Sequence, residues 1–211
     1  MKEIDIGTWP RKGHYLFFSG MDYPHFNICF DIEITDLLPR LKDRGLPFYH
    51  SMVYLSAVSA NMVEEFRYRA RDGKVVLHDS VTPSFTDMDE GSDLFKMVTV
   101  GLTGNLDMFT KEARRKSQEQ KEPFVASDFI GRDDHIYITS IPWISFTHIS
   151  HTIKLGKNDS VPRISWGKYC ERDSKILLPF SVQVNHAFAD GIHIARYRDA
   201  IMENIGRIDS L

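Results

Sequence analysis

Leu178-Pro179-Phe180-Ser181-Val182-Gln183-Val184-Asn185-His186-Ala187-Phe188-Ala189-Asp190-Gly191 is the most informative stretch of the chain. Its first half belongs to a run rich in β-branched and aromatic residues, Ile176 to Val184, and a helix-like run from Asp190 to Ile205 follows it. A strand therefore delivers His186 into a turn. Asp190 can sit in the first turn of the helix, where exposed amides and the helix dipole favour a carboxylate. A histidine at a strand end suits general-base work, because an unperturbed pKa of about 6.5 leaves much of it neutral at physiological pH. Taken alone, His-x-x-x-Asp-Gly is short, and a satisfied structural histidine beside a helix cap is its more frequent meaning.

Upstream, Ile28, Phe30, Ile32 and Ile34 alternate with Cys29, Asp31 and Glu33, the period-two pattern of a strand with one buried face. Thr35 and Asp36 offer a cap for a short helix ending at Gly45. Pro47 then opens a longer helix in which Phe48, Met52, Leu55, Met62 and Phe66 recur at roughly helical spacing. Asp72-Gly73 separates Phe66-Tyr68-Ala70 from Val75-Leu77 as a hairpin turn would. Further strands are expected at Phe95 to Leu102, Ile136 to Ser140, Trp143 to Ile153 and Arg163 to Tyr169, and a helix at Asn105 to Glu119. The stretch from about Lys111 to Asp134 is charged and loop-like. There is no regular β-α-β-α alternation and no Gly-rich βα turn. The pattern points to an α+β fold, one domain over residues 1–211 with a mixed β-sheet covered by helices, rather than a doubly wound nucleotide fold.

Composition bounds the function. With 42% apolar and 26% charged residues, the chain has the make-up of a folded globular protein. A net charge of -3 with both signs interspersed gives no basic field for nucleic acid or an anionic membrane. Cys29 and Cys170 stand alone in strand-like contexts, which reads as buried free thiols in a reducing compartment. No basic start leads into an apolar run, and no stretch approaches a membrane span, so the expected location is the cytoplasm. His148, His151, His186 and His193 enrich the C-terminal half in histidine, yet on a strand His148 and His151 would face opposite sides. Neither a His-Glu-x-x-His helix nor a cysteine pair completes a ligand set, so no metal is expected.

The company that the His186 segment keeps decides its reading. Trp9-Pro10-Arg11-Lys12-Gly13-His14-Tyr15, Phe66-Arg67 with Asp72-Gly73, Pro83-Ser84-Phe85-Thr86, Pro142-Trp143-Ile144-Ser145-Phe146-Thr147, Gly167-Lys168-Tyr169 and the His186 segment occur in one order along nearly the whole chain. That ordered set resembles the chloramphenicol acetyltransferase family, which is associated with antibiotic resistance. The resemblance implies a two-layer sandwich and a homotrimer with active sites in the clefts between subunits. It also implies transfer of an acetyl group from acetyl-CoA to a hydroxyl of a small acceptor, chloramphenicol among them, in a ternary complex. Carried over, His186 is the general base, and Asp190 pairs with Arg11 to hold the catalytic loop. Phe17 and Phe18 match positions of the acceptor pocket, and Phe85, Thr86 and Phe95 fall in segments that line it, with core packing the competing reading for each phenylalanine. Lys168 and Tyr169 match residues near the coenzyme, where a lysine can meet a CoA phosphate as a point charge.

Two departures from the family stand out. Asn185 replaces the first of two adjacent histidines. His148 stands where the family places a serine hydroxyl for the oxyanion of the tetrahedral intermediate. Loss of one such donor typically costs about 10²- to 10³-fold in rate, which slows an enzyme without silencing it. A neutral imidazole can donate one hydrogen bond in the serine's stead, Ser150 would share a strand face with His148, and Ser165 offers a second hydroxyl that reaches the site through water. Two other classes compete with the enzyme: a non-catalytic acceptor- or CoA-binding homologue, motivated by His148, and an acyl-transferring core of the dihydrolipoamide type. The absence of a lipoyl domain or an Ala/Pro-rich linker speaks against the second.

Overall fold

The computed structural model describes residues 1–155 and 159–211. In chain order the elements are β1 (Lys2–Ile4), α1 (Lys12–Phe18), β2 (His25–Glu33), α2 (Leu37–Asp43), α3 (Phe48–Asn61), β3 (Tyr68–Arg71), β4 (Lys74–Leu77), β5 (Thr82–Met88) and β6 (Phe95–Thr99). There follow α4 (Leu106–Glu119), α5 (Ala126–Phe129), β7 (His135–Ile141), β8 (Arg163–Gly167), β9 (Cys170–Arg172), β10 (Lys175–Asn185) and α6 (Gly191–Gly206). A seven-stranded sheet runs in the order β2-β10-β8-β7-β5-β6, with β9 paired to β10 beside this path, and β1-β4-β3 forms a small separate sheet. The large sheet is mixed, since β5 with β7 and β7 with β8 are parallel and its other pairs antiparallel.

β10 sits between β2 and β8, inside the sheet, and its composition suits burial on both faces. Leu178, Phe180, Val182 and Val184 pack into the main core, while Ser181, Gln183 and Asn185 lie on the opposite face, equally buried. On the core side Trp166 of β8 stacks on Phe180 at 6.0 Å. The helices cover that face. α3 is buried almost throughout, as befits a helix enclosed by the sheet, α4 and α6. Ser51 Oγ donates to Pro47 O and Ser59 Oγ accepts from Asn204 of α6, whereas at Ser56 the carbonyl accepts from Tyr197 and the buried hydroxyl has no partner among the described residues. The opposite face is polar, carrying Ser84, Thr86, Thr139, Ser165, Ser181 and Gln183, and residues 142–155 pass beside it.

The expected elements are present with several changes. Asp72 and Gly73 both adopt positive φ, as the tight hairpin between β3 and β4 requires. Asn105 caps α4 by accepting from the Met108 N–H, and α4 occupies the start of the charged stretch at Lys111. The long helix stops at Asn61, so Met62 is exposed and Phe66 is buried from a following 3₁₀ turn. Trp143 to Ile153 is not a strand. It runs as irregular chain, and the first element after β7 to rejoin the sheet is β8. The cysteines also differ from expectation: both are free, but Cys29 is half-buried and Cys170 exposed, because β9 is an exposed edge strand. Among the described residues no helix is long and apolar enough to cross a membrane.

Candidate active site

The turn after β10 is built by Asn185. Its side-chain oxygen accepts from the Ala187 N–H at 2.9 Å, its carbonyl accepts from the Phe188 and Ala189 N–H groups, and its amide donates to Asp159 O at 3.0 Å. This is the Asx-type geometry that a short amide side chain offers in place of a strand ladder. His186 follows, fixed through its own N–H to Pro24 O at 2.7 Å. Its ring stacks on Phe18 at 3.9 Å with planes 10° apart and leans on Phe26 at 4.4 Å. Nδ1 is enclosed, whereas the side chain as a whole is 34% exposed, so Nε2 is the nitrogen turned outward.

Nδ1 lies 3.1 Å from Asp190 Oδ1, yet the geometry makes no hydrogen bond, and both carboxylate oxygens are already taken. Arg11 holds them bidentately, Nη1 to Oδ2 at 2.6 Å and Nη2 to Oδ1 at 2.7 Å. The same guanidinium donates to His186 O at 2.8 Å and, through Nε, to Ala187 O at 2.9 Å. One planar fork thereby ties the N-terminal segment to the histidine turn. The hydrogen bonds from Arg11 hold the Asp190 carboxyl below the usual carboxylate range, against a smaller opposing push from burial. With its charge matched in this way, Asp190 acts on the turn more than on the imidazole. Trp9, Tyr15, Tyr68 and Phe188 pack around the clamp, Trp9 and Tyr68 with ring centroids 5.0 Å apart.

A residue that the sequence reading passed over completes the helix start. His193 accepts the Asp190 N–H on Nδ1 at 2.8 Å and turns Nε2 to Glu65, 3.2 Å away. A polar side chain at the third helical position after an Asp cap is the signal that could have found it.

The second part of the site is a cavity of about 1470 Å³ over the polar side of β5, β7 and β8. Thr86, Phe95, Lys168 and Tyr169 line it. Thr86 Oγ1 and Thr139 Oγ1 are hydrogen-bonded at 2.8 Å, and the Tyr49 phenol donates to the Thr86 carbonyl from the helix side. Phe95 meets Phe124 edge-on at 5.9 Å, and Tyr169 meets Phe48 at 6.0 Å. Phe85 does not line it. As its neighbour Thr86 faces the cavity, the alternation of β5 sends Phe85 into the core, fully buried against Tyr49 and His50. Phe17 is 66% exposed on α1, away from this wall, and Phe18 serves as the platform under His186. Ser165 is buried behind the wall and bonded to His151, which does line the cavity. His148 is exposed on the irregular segment, and among the described residues no hydrogen bond or ring contact joins it to His186. With that segment not a strand, the facing argument for Ser150, which is also exposed, lapses. Among the described residues no group of three or more His, Cys, Asp or Glu side chains could hold a metal ion.

His186 is not among the residues that line the cavity; it follows β10, which lies between β2 and the cavity-lining β8.

The family model described as chloramphenicol acetyltransferase matches residues 1–202. Chloramphenicol acetyltransferase 3 of Escherichia coli is 29% identical over 206 residues, covering 95% of both proteins. The chloramphenicol acetyltransferase of Clostridium perfringens is 31% identical over 202 residues, covering 95% of this chain and 92% of that one. A solved chloramphenicol acetyltransferase structure matches with a TM-score of 0.88 and 25% identity, across 97% of this chain and 100% of that one. The Azotobacter vinelandii dihydrolipoamide acetyltransferase core matches at a TM-score of 0.67 with 15% identity, over 100% of this chain and 93% of that one, a likeness of fold alone.

Proposed function

Since the chain belongs to the chloramphenicol acetyltransferase family, we infer that it is an acetyl-CoA-dependent O-acetyltransferase whose acceptor is a small hydroxylated molecule, chloramphenicol being the first to test. His186 is the general base. Its outward Nε2 takes the proton of the acceptor hydroxyl as that oxygen attacks the thioester carbonyl. The carbon–sulfur bond then breaks and the thiolate of CoA leaves, collecting the proton from the imidazolium, so no acyl-enzyme is required. The single observation that carries this reading is the clamp. Arg11 fixes the carbonyls of His186 and Ala187 together with Asp190, and Phe18 and Phe26 fix the ring, so one nitrogen of a rigidly held imidazole faces outward.

The cavity supports the two-substrate requirement. At about 1470 Å³ it exceeds the roughly 300–1,000 Å³ of an ordinary single-ligand pocket, leaving room for an acceptor and the thiol arm of CoA together. Lys168 and Tyr169 at its wall are the residues we assign to the coenzyme. That His186 does not line the cavity of its own chain goes with a homotrimer in which each His186 serves a neighbour's cavity. A cytoplasmic location, where acetyl-CoA is made, fits the same reading.

The test is thiol release from acetyl-CoA across a panel of alcohols including chloramphenicol. His186→Ala is expected to lose activity by about 10²- to 10⁴-fold with an unchanged melting temperature. Equal activity in both proteins, or none on any acceptor, would sink the reading. A non-catalytic homologue rests on His148 alone and is not favoured. A native protein that releases no thiol, and gains none on His148→Ser, would bring it back.

A further inference from the structure

Ser165 was expected to reach the site through water, but its hydroxyl is engaged. The side chain is 0% exposed, and its partner among the described residues is His151 Nε2 at 2.7 Å. A buried hydroxyl is costly to leave without an acceptor, so the Ser165 O–H donates to Nε2. A neutral imidazole carries one N–H, which places the His151 proton on Nδ1. Burial, and after it the positive charge of Arg163, pushes the His151 pKa down to about 4, so the ring stays neutral and keeps this single-donor form.

The ring is also fixed in place. The His151 N–H donates to Gln183 Oε1 of β10 at 3.0 Å, and Ile149 O accepts from Asn27 Nδ2 of β2 at 2.8 Å, so the irregular segment is pinned to the sheet on both sides of the residue. His151 lines the cavity, and its Nδ1 neither bonds another described group nor is enclosed by the chain. His151 thus gives the cavity a pre-oriented donor, unpaired among the described residues, on a wall shared with the Thr86–Thr139 hydroxyl pair.

We propose that His151 is a specificity-determining residue whose Nδ1–H donates a hydrogen bond to an oxygen of the acceptor held in the cavity, with Ser165 as the positioning residue that selects the tautomer. This rests on the acetyl-transfer reading above. A ring that cannot rotate without stranding the Ser165 hydroxyl offers a donor and no lone pair, so the cavity selects acceptors that present a carbonyl, nitro or hydroxyl oxygen here and rejects those that present an ammonium group.

The experiment titrates chloramphenicol calorimetrically into the native protein, His151→Leu, His151→Asn and Ser165→Ala, with steady-state kinetics on the same preparations. His151→Leu is expected to weaken chloramphenicol binding and raise its KM by about tenfold, the worth of one net hydrogen bond, with little change in kcat or in the KM for acetyl-CoA. His151→Asn, which keeps an N–H, recovers part of the loss, and Ser165→Ala shows a smaller loss in the same direction. Unchanged chloramphenicol binding in His151→Leu, or a fall in kcat at unchanged binding, would overturn the proposal. Nitrogen-15 spectra of the histidine rings give a check that needs no ligand and no turnover. A His151 signal protonated at Nε2 instead of Nδ1 overturns the proposal even in a variant-free protein. Calorimetry reads binding whether or not acetyl is transferred, so failure of this proposal and failure of the acetyl-transfer reading are told apart.

Discussion

At the scale of single residues, the ion pair between Arg11 and Asp190 ties stability to pH. A carboxyl whose pKa is lowered on folding contributes stability that is complete above its unfolded value of about 4 and is lost as pH falls through the folded value. Asp190→Asn is therefore expected to cost about 2–3 kcal/mol at pH 7, below the full cost of breaking an enclosed pair because the carboxylate is partly exposed. The difference in urea midpoint between native and variant should narrow as pH drops below about 4. An unchanged difference at pH 3 would contradict the role assigned to the pair. Residues of this kind were only partly legible. His186 and Asp190 stand in one short segment, but Arg11 is joined to Asp190 across 179 positions, and nothing local to Arg11 announces its partner. Its identification came from the ordered motifs as a set. Asn185, read only as a departure from the family's paired histidines, supplies the turn geometry, and His151 was set aside with the metal reading because its segment was taken for a strand.

At the scale of elements, the approach of the irregular segment to β8 depends on the missing side chain of Gly167. A Cβ at that position would lie 2.7 Å from the Ile144 carbonyl oxygen and 2.9 Å from the Phe146 ring, while the neighbouring Lys168 N–H donates to the same carbonyl at 2.9 Å. Gly167→Ala is expected to destabilise by about 1–3 kcal/mol through this overlap and to displace the chain that carries His148 and His151. Chemical denaturation and the fluorescence of Trp143 report the two effects, and an unshifted denaturation midpoint would show that the segment yields freely. The same segment marks the limit of pattern reading. Its aromatic and β-branched residues look like a strand, but its backbone bonds one loop carbonyl to β8 and side-chain amides to β2 and β10 instead of a ladder. β2 and β10, by contrast, were legible because each alternates one apolar face against a half-polar one, and the β3–β4 hairpin because Asp72-Gly73 suits its positive φ angles.

At the scale of the whole molecule, a site divided between subunits predicts complementation. If each His186 serves a neighbour's cavity, mixing His186→Ala with a cavity-blocked variant such as Thr86→Trp before refolding should restore activity. In a random one-to-one mixture about one quarter of the interfaces then hold an intact base against an intact cavity. Mixtures no more active than their components would place base and acceptor in the same chain. The α+β character, a mixed sheet covered by helices, was readable from the mixture of strands and helices without β-α alternation, whereas strand order was not, because pairing between distant segments leaves no local trace.

The place of β10 sets the order in which the protein can be made. Residues 175–185 fill the gap between β2 and β8, so both neighbours of this strand are synthesised before it. Until then β2 and β8 have bare edges, and Arg11 waits for His186 and Asp190, 175 and 179 positions further along. A chain cut short before β10 has neither a strand between β2 and β8 nor the His186 turn, and that turn is clamped only when the Arg11 segment and the His186 segment have met.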